Sequence, residues 1–294
     1  MTDDGLTAFS ARRRLRSTLR RIRENLGLTQ NQVAAELDWS ISKFTRIEGG
    51  TVSIGASDLL ALCVFYGVGP SVQEQLLHYR ERAKGRSWWH PYKAVMPASM
   101  ATLVDLESDA AALRMLATTE IPHLFQTDEY AHASVTAQFG PVPSDETTSR
   151  TALRLARQSV LTRPDAPQVT LLLDESVLYR AVADATVMAR QLLRLAEMSR
   201  RPNTDLRIYP FEAGAYGYPG GLVLIEHRAV EDGVTLYYDT VEDATTVEDP
   251  TEVRRHLAGF EALWDKALDR NRTNHLLHHV ATQYAESGHT RPWL

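Results

Sequence analysis

The 294-residue sequence has a single cysteine, Cys63, so no disulfide can form within the chain. It lies between Leu62 and Val64 in a predicted helix, a setting that favours packing over reactivity. No apolar run approaches the roughly 18 residues that a membrane-spanning helix needs. The arginines near the N-terminus are not followed by a hydrophobic stretch, so no signal peptide is expected. These absences together predict a cytoplasmic protein. Positive charge is also scarce overall. Lys and Arg number 32 against 37 Asp and Glu, a net charge of −5 that argues at first sight against a nucleic-acid binder. Apolar residues make up 44% of the chain, as in globular proteins, and the length is enough for two domains.

The distribution of charge reverses the first impression. Residues 11–50 carry nine Lys/Arg against four Asp/Glu, a net of +5, while residues 83–294 carry 21 against 28, a net of −7. A basic module on an acidic body is the expected footprint of a nucleic-acid-facing domain with an appended domain.

Within the basic segment, residues 29–48 (TQNQVAAELDWSISKFTRIE) read as two short helices and a tight turn. Thr29 is a good N-cap, and Gln32 three residues on completes a capping box. Val33 and Leu37 share a face, with Ala34 small enough to let a second helix cross closely. Asp38 ends the first helix because Asp tolerates the left-handed backbone. Ser40 caps the second helix, which runs to about Gly49 with Phe44 and Ile47 inward.

That arrangement leaves Ile41, Ser42, Lys43 and Arg46 outward as base-contact candidates, with Ile41 suited to a thymine methyl. Thr45 faces outward as well. Phosphate-contact candidates are Arg20, Arg23, Thr29, Gln30, Ser40 and Thr45, and Arg46 can serve either role.

Around this pair, a helix is expected from Arg12 to Gly27 with an apolar stripe at Leu15, Leu19, Ile22 and Leu26. Its seven arginines offer sequence-independent backbone contacts. Residues 1–10 lack periodicity and are expected to be disordered. A helix at 56–66 closed by Gly67 and a fifth at 71–84, with Leu76 and Leu77 inward, complete the domain, assigned to 11–82. The basic stretch AKGRS, 83–87, is the expected linker.

The pattern Leu28, Thr29, Gln30, Val33, Ala34, Leu37, Ser40, Ser42, Arg46, Ile47, Glu48 resembles the phage-repressor-like (Cro/cI, XRE) helix-turn-helix family over residues 12–82. The resemblance implies double-stranded DNA as partner, and a homodimer on half-sites about one helical turn apart. Two positions depart from it. Asp38 stands where the family usually has glycine, and Ile41 where it often has a polar or basic residue.

Residues 88–270 are expected to form a larger α+β domain with a small antiparallel or mixed sheet, and 271–294 a C-terminal tail. Helices are predicted at 100–116, 128–138 with Thr127 as cap, 144–162 capped by Ser144, and 184–199. Strands are predicted at 169–175, 206–211, 221–227 and 234–240, the last three antiparallel through loops at 212–220 and 228–233. Asp249-Pro250-Thr251-Glu252 is a strong helix start, for a helix reaching Leu268.

The stretches WWH (88–90), IPHLFQTDEYA (121–131), RLARQSVLTRP (154–164), LLLDESVLYR (171–180), IYPFEAGAY (208–216) and VEDP (247–250) resemble the effector-type, DUF5753-like domain of actinobacterial regulators. These are similar to antitoxin-like proteins of the Scr1/WhiJ-type group. The resemblance implies regulation, often with a small partner protein encoded nearby.

Chemistry-bearing constellations are few. Trp88, Trp89, His90 and Tyr92 either line a pocket or clamp a domain junction. With Tyr216 and Tyr218 of the glycine-rich loop 212–221, the residues Trp88, Trp89 and Tyr92 make the candidate effector or partner site. Asp174 and Glu175 have no sequence-placed Ser, His or Cys partner, and read as helix-start residues rather than catalysts. The loop lacks the GK[ST] ending of a phosphate loop. His275, His278 and His279 have ligand-like spacing, but a surface helix face explains them. The expectation is therefore a non-enzymatic regulator without metal or cofactor. Alternatives are a small-molecule sensor, an enzyme with a DNA-binding appendage, and a helix-turn-helix that binds only protein.

Overall fold

The computed structural model of the chain describes residues 7–140, 143–218, 220–229, 233–239 and 244–287. They fall into two compact units, Met1–His90 and Pro91–Leu294.

The first unit is all-helical: α1 (Ala8–Asn25), α2 (Gln30–Glu36), α3 (Ile41–Glu48), α4 (Ala56–Phe65) and α5 (Pro70–Arg82). Its core unites Ala11, Leu15 and Leu19 of α1 with Val33, Ala34, Phe44, Ile47, Leu59, Leu62 and Leu76. Cys63 is buried in the same cluster. Helix α1 starts four residues earlier than the sequence suggested. Thr7 caps it by accepting the Ser10 N–H at 3.1 Å, and Ser10 and Ala11 are fully buried. Residues 7–10 therefore belong to the helix, while 1–6 lie outside the described residues. Leu26, placed on the inward stripe from spacing, is instead half exposed at the C-cap.

The second unit is built on a six-stranded mixed sheet in the order β3-β2-β1-β4-β5-β6. The strands are β1 (Ala110–Ala117), β2 (Gln168–Asp174), β3 (Thr204–Tyr209), β4 (Leu222–His227), β5 (Val234–Asp239) and β6 (Ala244–Val247). Strands β1, β2 and β3 run parallel, and β4 lies antiparallel on the other side of β1, followed by β5 and β6. Helices α6 (Ala98–Ser108), α7 (Asp128–Phe139), α8 (Ser144–Arg157), the single turn α9 (Ser176–Tyr179), α10 (Ala185–Met198), α11 (Pro250–Trp264) and α12 (Arg270–Ser287) complete it. Leu171, Leu172 and Leu173 are all fully buried, and successive side chains point to opposite faces, so β2 is covered on both sides. Leu116, Leu172, Leu224 and Leu236 form one of those faces with Val253, Phe260 and Leu263 of α11.

Four expectations are corrected here. Residues 110–116, read as the second half of a helix, are the central strand β1. Its sequence, AAALRMLA, favours helix by propensity, but pairing on both sides overrides so weak a preference. β3 does not pair with β4, because α10 carries the chain from β2 to a parallel β3 at the sheet edge. β6 was not anticipated. Residues 271–287, expected as a tail, belong to α12, which packs on α10 and buries Leu277, Val280, Ala281 and Tyr284. Smaller differences lie at helix ends. Pro143 rather than Ser144 is the N-cap of α8, and α11 stops at Trp264.

Candidate nucleic-acid interface

The α2–turn–α3 element is built by its caps. Thr29 Oγ1 accepts the Gln32 N–H at 3.3 Å, and Gln32 Oε1 accepts the Thr29 N–H at 2.9 Å. The turn hinges on Asp38, the only non-glycine with positive φ among the described residues, at 54°. Its N–H reaches Ala35 O at 3.2 Å and the Trp39 N–H reaches Ala34 O at 2.8 Å, so the helix closes on a left-handed residue as it would on glycine. Ser40 Oγ then accepts the Lys43 N–H at 3.1 Å and starts α3.

Phe44 and Ile47 face the core, at 2% and 4% exposure, and turn the opposite face of α3 to solvent. Ile41, Ser42, Thr45 and Arg46 are exposed on that face, with Ile41 at 45%. An exposed isoleucine at the entry of a helix, beside a hydroxyl and an arginine, suits a major groove that offers methyls and acceptors.

Lys43 is placed differently from the outward reading. Its ammonium pairs with Asp58 of α4 at 3.0 Å and lies 4.0 Å from the centre of the Trp39 ring. Contact with a base requires it to leave both.

A polar bolt fixes the two helices. Arg23 donates from Nε to Glu48 Oε1 at 2.7 Å, from Nη2 to Glu48 Oε2 at 3.0 Å, and from Nη1 to Leu28 O at 2.8 Å. Gln30 donates to Glu48 through its amide and accepts from Thr45 Oγ1 at 3.0 Å. The Glu48 hydrogen bond raises the Arg23 pKa further, against the opposing effect of burial. Arg23 is thus a buried structural residue, and the phosphate role expected of it is withdrawn. Of the other α1 arginines, Arg13 is buried, Arg12 binds the carbonyls of Ala83 and Gly85, and Arg16 binds that of Gly49. Arg20 and Arg21 remain exposed, as do Thr29 and Ser40. Glu48 and Asp58 were absent from the sequence candidates. Glu48 was visible within the quoted motif, whereas nothing in the sequence pairs Asp58 with Lys43.

The aromatic candidates are divided between the two units. Trp88, at 41% exposure, and half-buried Trp89 end the first unit, and Tyr92 lies half-buried in the short turn His90–Val95. Tyr216 and Tyr218 anchor their loop to the core. The Tyr216 hydroxyl donates to Asp174 Oδ2 at 2.7 Å and its ring meets Tyr209 edge-on at 5.1 Å. The Tyr218 hydroxyl donates to His256 O at 3.3 Å and sits against Gly259, where a Cβ would come within 2.2 Å of it. Pro219, within that loop, lies outside the described residues.

Asp174 also accepts the Ser176 N–H at 2.9 Å, and Glu175 accepts the Phe211 N–H at 2.7 Å, so both carboxylates hold turns. His275 and His279 stack on the outside of α12. Among the described residues no group of three or more His, Cys, Asp or Glu is placed to hold a metal ion, and no helix is long and apolar enough to cross a membrane.

Comparison with known families gives two matches. Residues 14–84 match the model of a helix-turn-helix domain, and residues 100–279 that of a domain of unknown function, DUF5753. No curated protein and no solved structure matches the chain.

Proposed function

Since the chain belongs to the DUF5753 family and carries a helix-turn-helix domain before it, we propose that it is a sequence-specific transcriptional regulator of the XRE (Cro/cI-like) class. The observation that carries this reading is the face of α3. Ile41, Ser42, Thr45 and Arg46 project from a helix whose position is fixed by the Arg23–Glu48–Gln30 bolt. A rigid element presenting an apolar contact, a hydroxyl and a guanidinium is what base-edge recognition needs. Arg20 with the N-terminal ends of α2 and α3 supplies phosphate contacts that set register. Lys43 joins the readout when DNA draws it away from Asp58.

The second unit, in this proposal, carries dimerisation and the regulatory input, delivered by a small partner protein as in the antitoxin-like actinobacterial regulators it resembles. It acts by binding and not by catalysis, within the cytoplasm. Both carboxylates of the Asp174–Glu175 pair hold turns, which supports that view over an enzyme. Binding of the full chain to DNA from its own promoter region, compared with random DNA over a salt series, tests the proposal. Preference for the promoter that Ser42→Ala/Arg46→Ala removes is the expected result. Equal, steeply salt-dependent binding to both would overturn sequence-specific readout at this DNA.

A further inference from the structure

The first unit contains a half-open cleft of about 630 Å3 between α1, α5 and the segment 49–54. Its floor is apolar: Phe9, Leu15, Leu19, Ile47, Val52 and Ile54. Four cations line it, Arg12, Arg16, Arg80 and Lys84, and no acidic side chain does. The Arg12 guanidinium is held by two neutral carbonyls, Ala83 O and Gly85 O, each at 2.9 Å, which orient it without cancelling its charge. Arg80 donates from Nε to Ile54 O at 3.2 Å, and Arg80 and Lys84 share one carboxylate, Glu81.

A cleft of this size lies in the range of small-molecule sites, about 300–1,000 Å3. Its concave shape suits a compact amphipathic ligand better than the DNA backbone, whose phosphates stand on a convex surface and whose sugars cannot enter to cover that floor. We infer that the cleft binds an amphipathic monoanion, a small carboxylate with an alkyl body, the head among the arginines and the body on the Leu15–Leu19–Ile47 floor. Ile47 lies on the inner side of α3, so an occupant touches the outward-reading helix from behind. The site belongs to the helical unit and is independent of any ligand of the second unit.

The test is calorimetric titration of the full chain, without DNA, using decanoate below its micellar concentration. Decanol and decyltrimethylammonium serve as uncharged and cationic controls. Decanoate is expected to bind, with affinity rising about fourfold per methylene from octanoate upward, and both controls to bind far more weakly. Arg12→Gln/Lys84→Gln is expected to weaken decanoate about tenfold, and Ser53→Trp, which fills the mouth from an exposed position, to abolish binding. Circular dichroism checks that each variant is folded, and Lys84→Gln alone provides a milder surface change. Absence of decanoate binding, equal binding of the cationic control, or binding untouched by all three variants would overturn the inference.

Discussion

Replacing Glu48 with alanine strips Arg23 of two carboxylate bonds where the Arg23 side chain is 11% exposed and that of Glu48 only 1%. The guanidinium keeps the Leu28 carbonyl and a long contact of 3.5 Å to the exposed Glu24 carboxylate, and the Gln30 amide loses its acceptor, so α1, α2 and α3 are all affected. Removing one partner of a buried pair costs about 3–5 kcal/mol, mostly from the charge left uncompensated. A unit of this size has a net stability of about 4–12 kcal/mol, so the loss approaches half of it.

Native-state hydrogen exchange of the full chain reads this locally. Amides of α1–α3 in Glu48→Ala are expected to exchange at least about 150-fold faster, the equivalent of 3 kcal/mol. Those of α7, α8 and α10 should be unchanged. Arg23→Lys falls between, because one ammonium cannot make the paired bonds of a guanidinium. Arg23→Met with Glu48→Leu recovers part of the loss, limited by the carbonyl of Leu28 and the amide of Gln30 left without partners. A change below tenfold in α1–α3, or an equal change in the second unit, would refute the bolt.

Three further outcomes are expected. Asp58→Asn removes the ion pair that Lys43 must leave on DNA, so promoter affinity should rise by up to about fivefold. An unchanged affinity would mean that Lys43 does not leave Asp58 to reach DNA. Burial pushes the His123 imidazole down to about 4, helped by Arg154 and Arg157 and opposed by its bond to Glu120. The unfolded chain, with an ordinary histidine, therefore takes up the proton first, so stability falls as pH drops from about 6.5 to about 4. His123→Gln should flatten that part of the melting-temperature profile of the second unit, and an unaltered profile would assign the acid sensitivity elsewhere. Gly259→Ala places a methyl against the Tyr218 hydroxyl and should speed proteolysis within the loop 212–221. Unchanged cleavage there would mean that the loop is not anchored through Tyr218.

The helical unit was legible because its information is local. Thr29, Gln32, Asp38 and Ser40 act within three or four residues of themselves, and the caps they form are the caps found. Arg23 was misread for the converse reason, since its partner Glu48 lies 25 residues away. Nothing in its neighbourhood separates it from exposed Arg20. β1 was misread because a strand buried on both faces lacks the alternation that marks a strand, and Ala, Leu and Met favour helix. The role of α12 was hidden because burial of its Leu277 and Tyr284 depends on α10, far earlier in the chain. The anchoring of Tyr216 and Tyr218 was hidden for the same reason, since the partners of their hydroxyls, Asp174 and the backbone of His256, lie 42 and 38 residues away.

The most direct test of the central claim, that the exposed face of α3 reads DNA sequence, is a binding comparison of the wild-type chain with Ser42→Ala/Arg46→Ala. Both are measured on promoter-region and random duplexes at several salt concentrations. The account predicts that wild type prefers the promoter, and that the double variant keeps most of its random-DNA affinity while losing the preference, at about 1–3 kcal/mol for each base contact removed. A variant that retains the full preference, on a chain that is folded and binding, would contradict it.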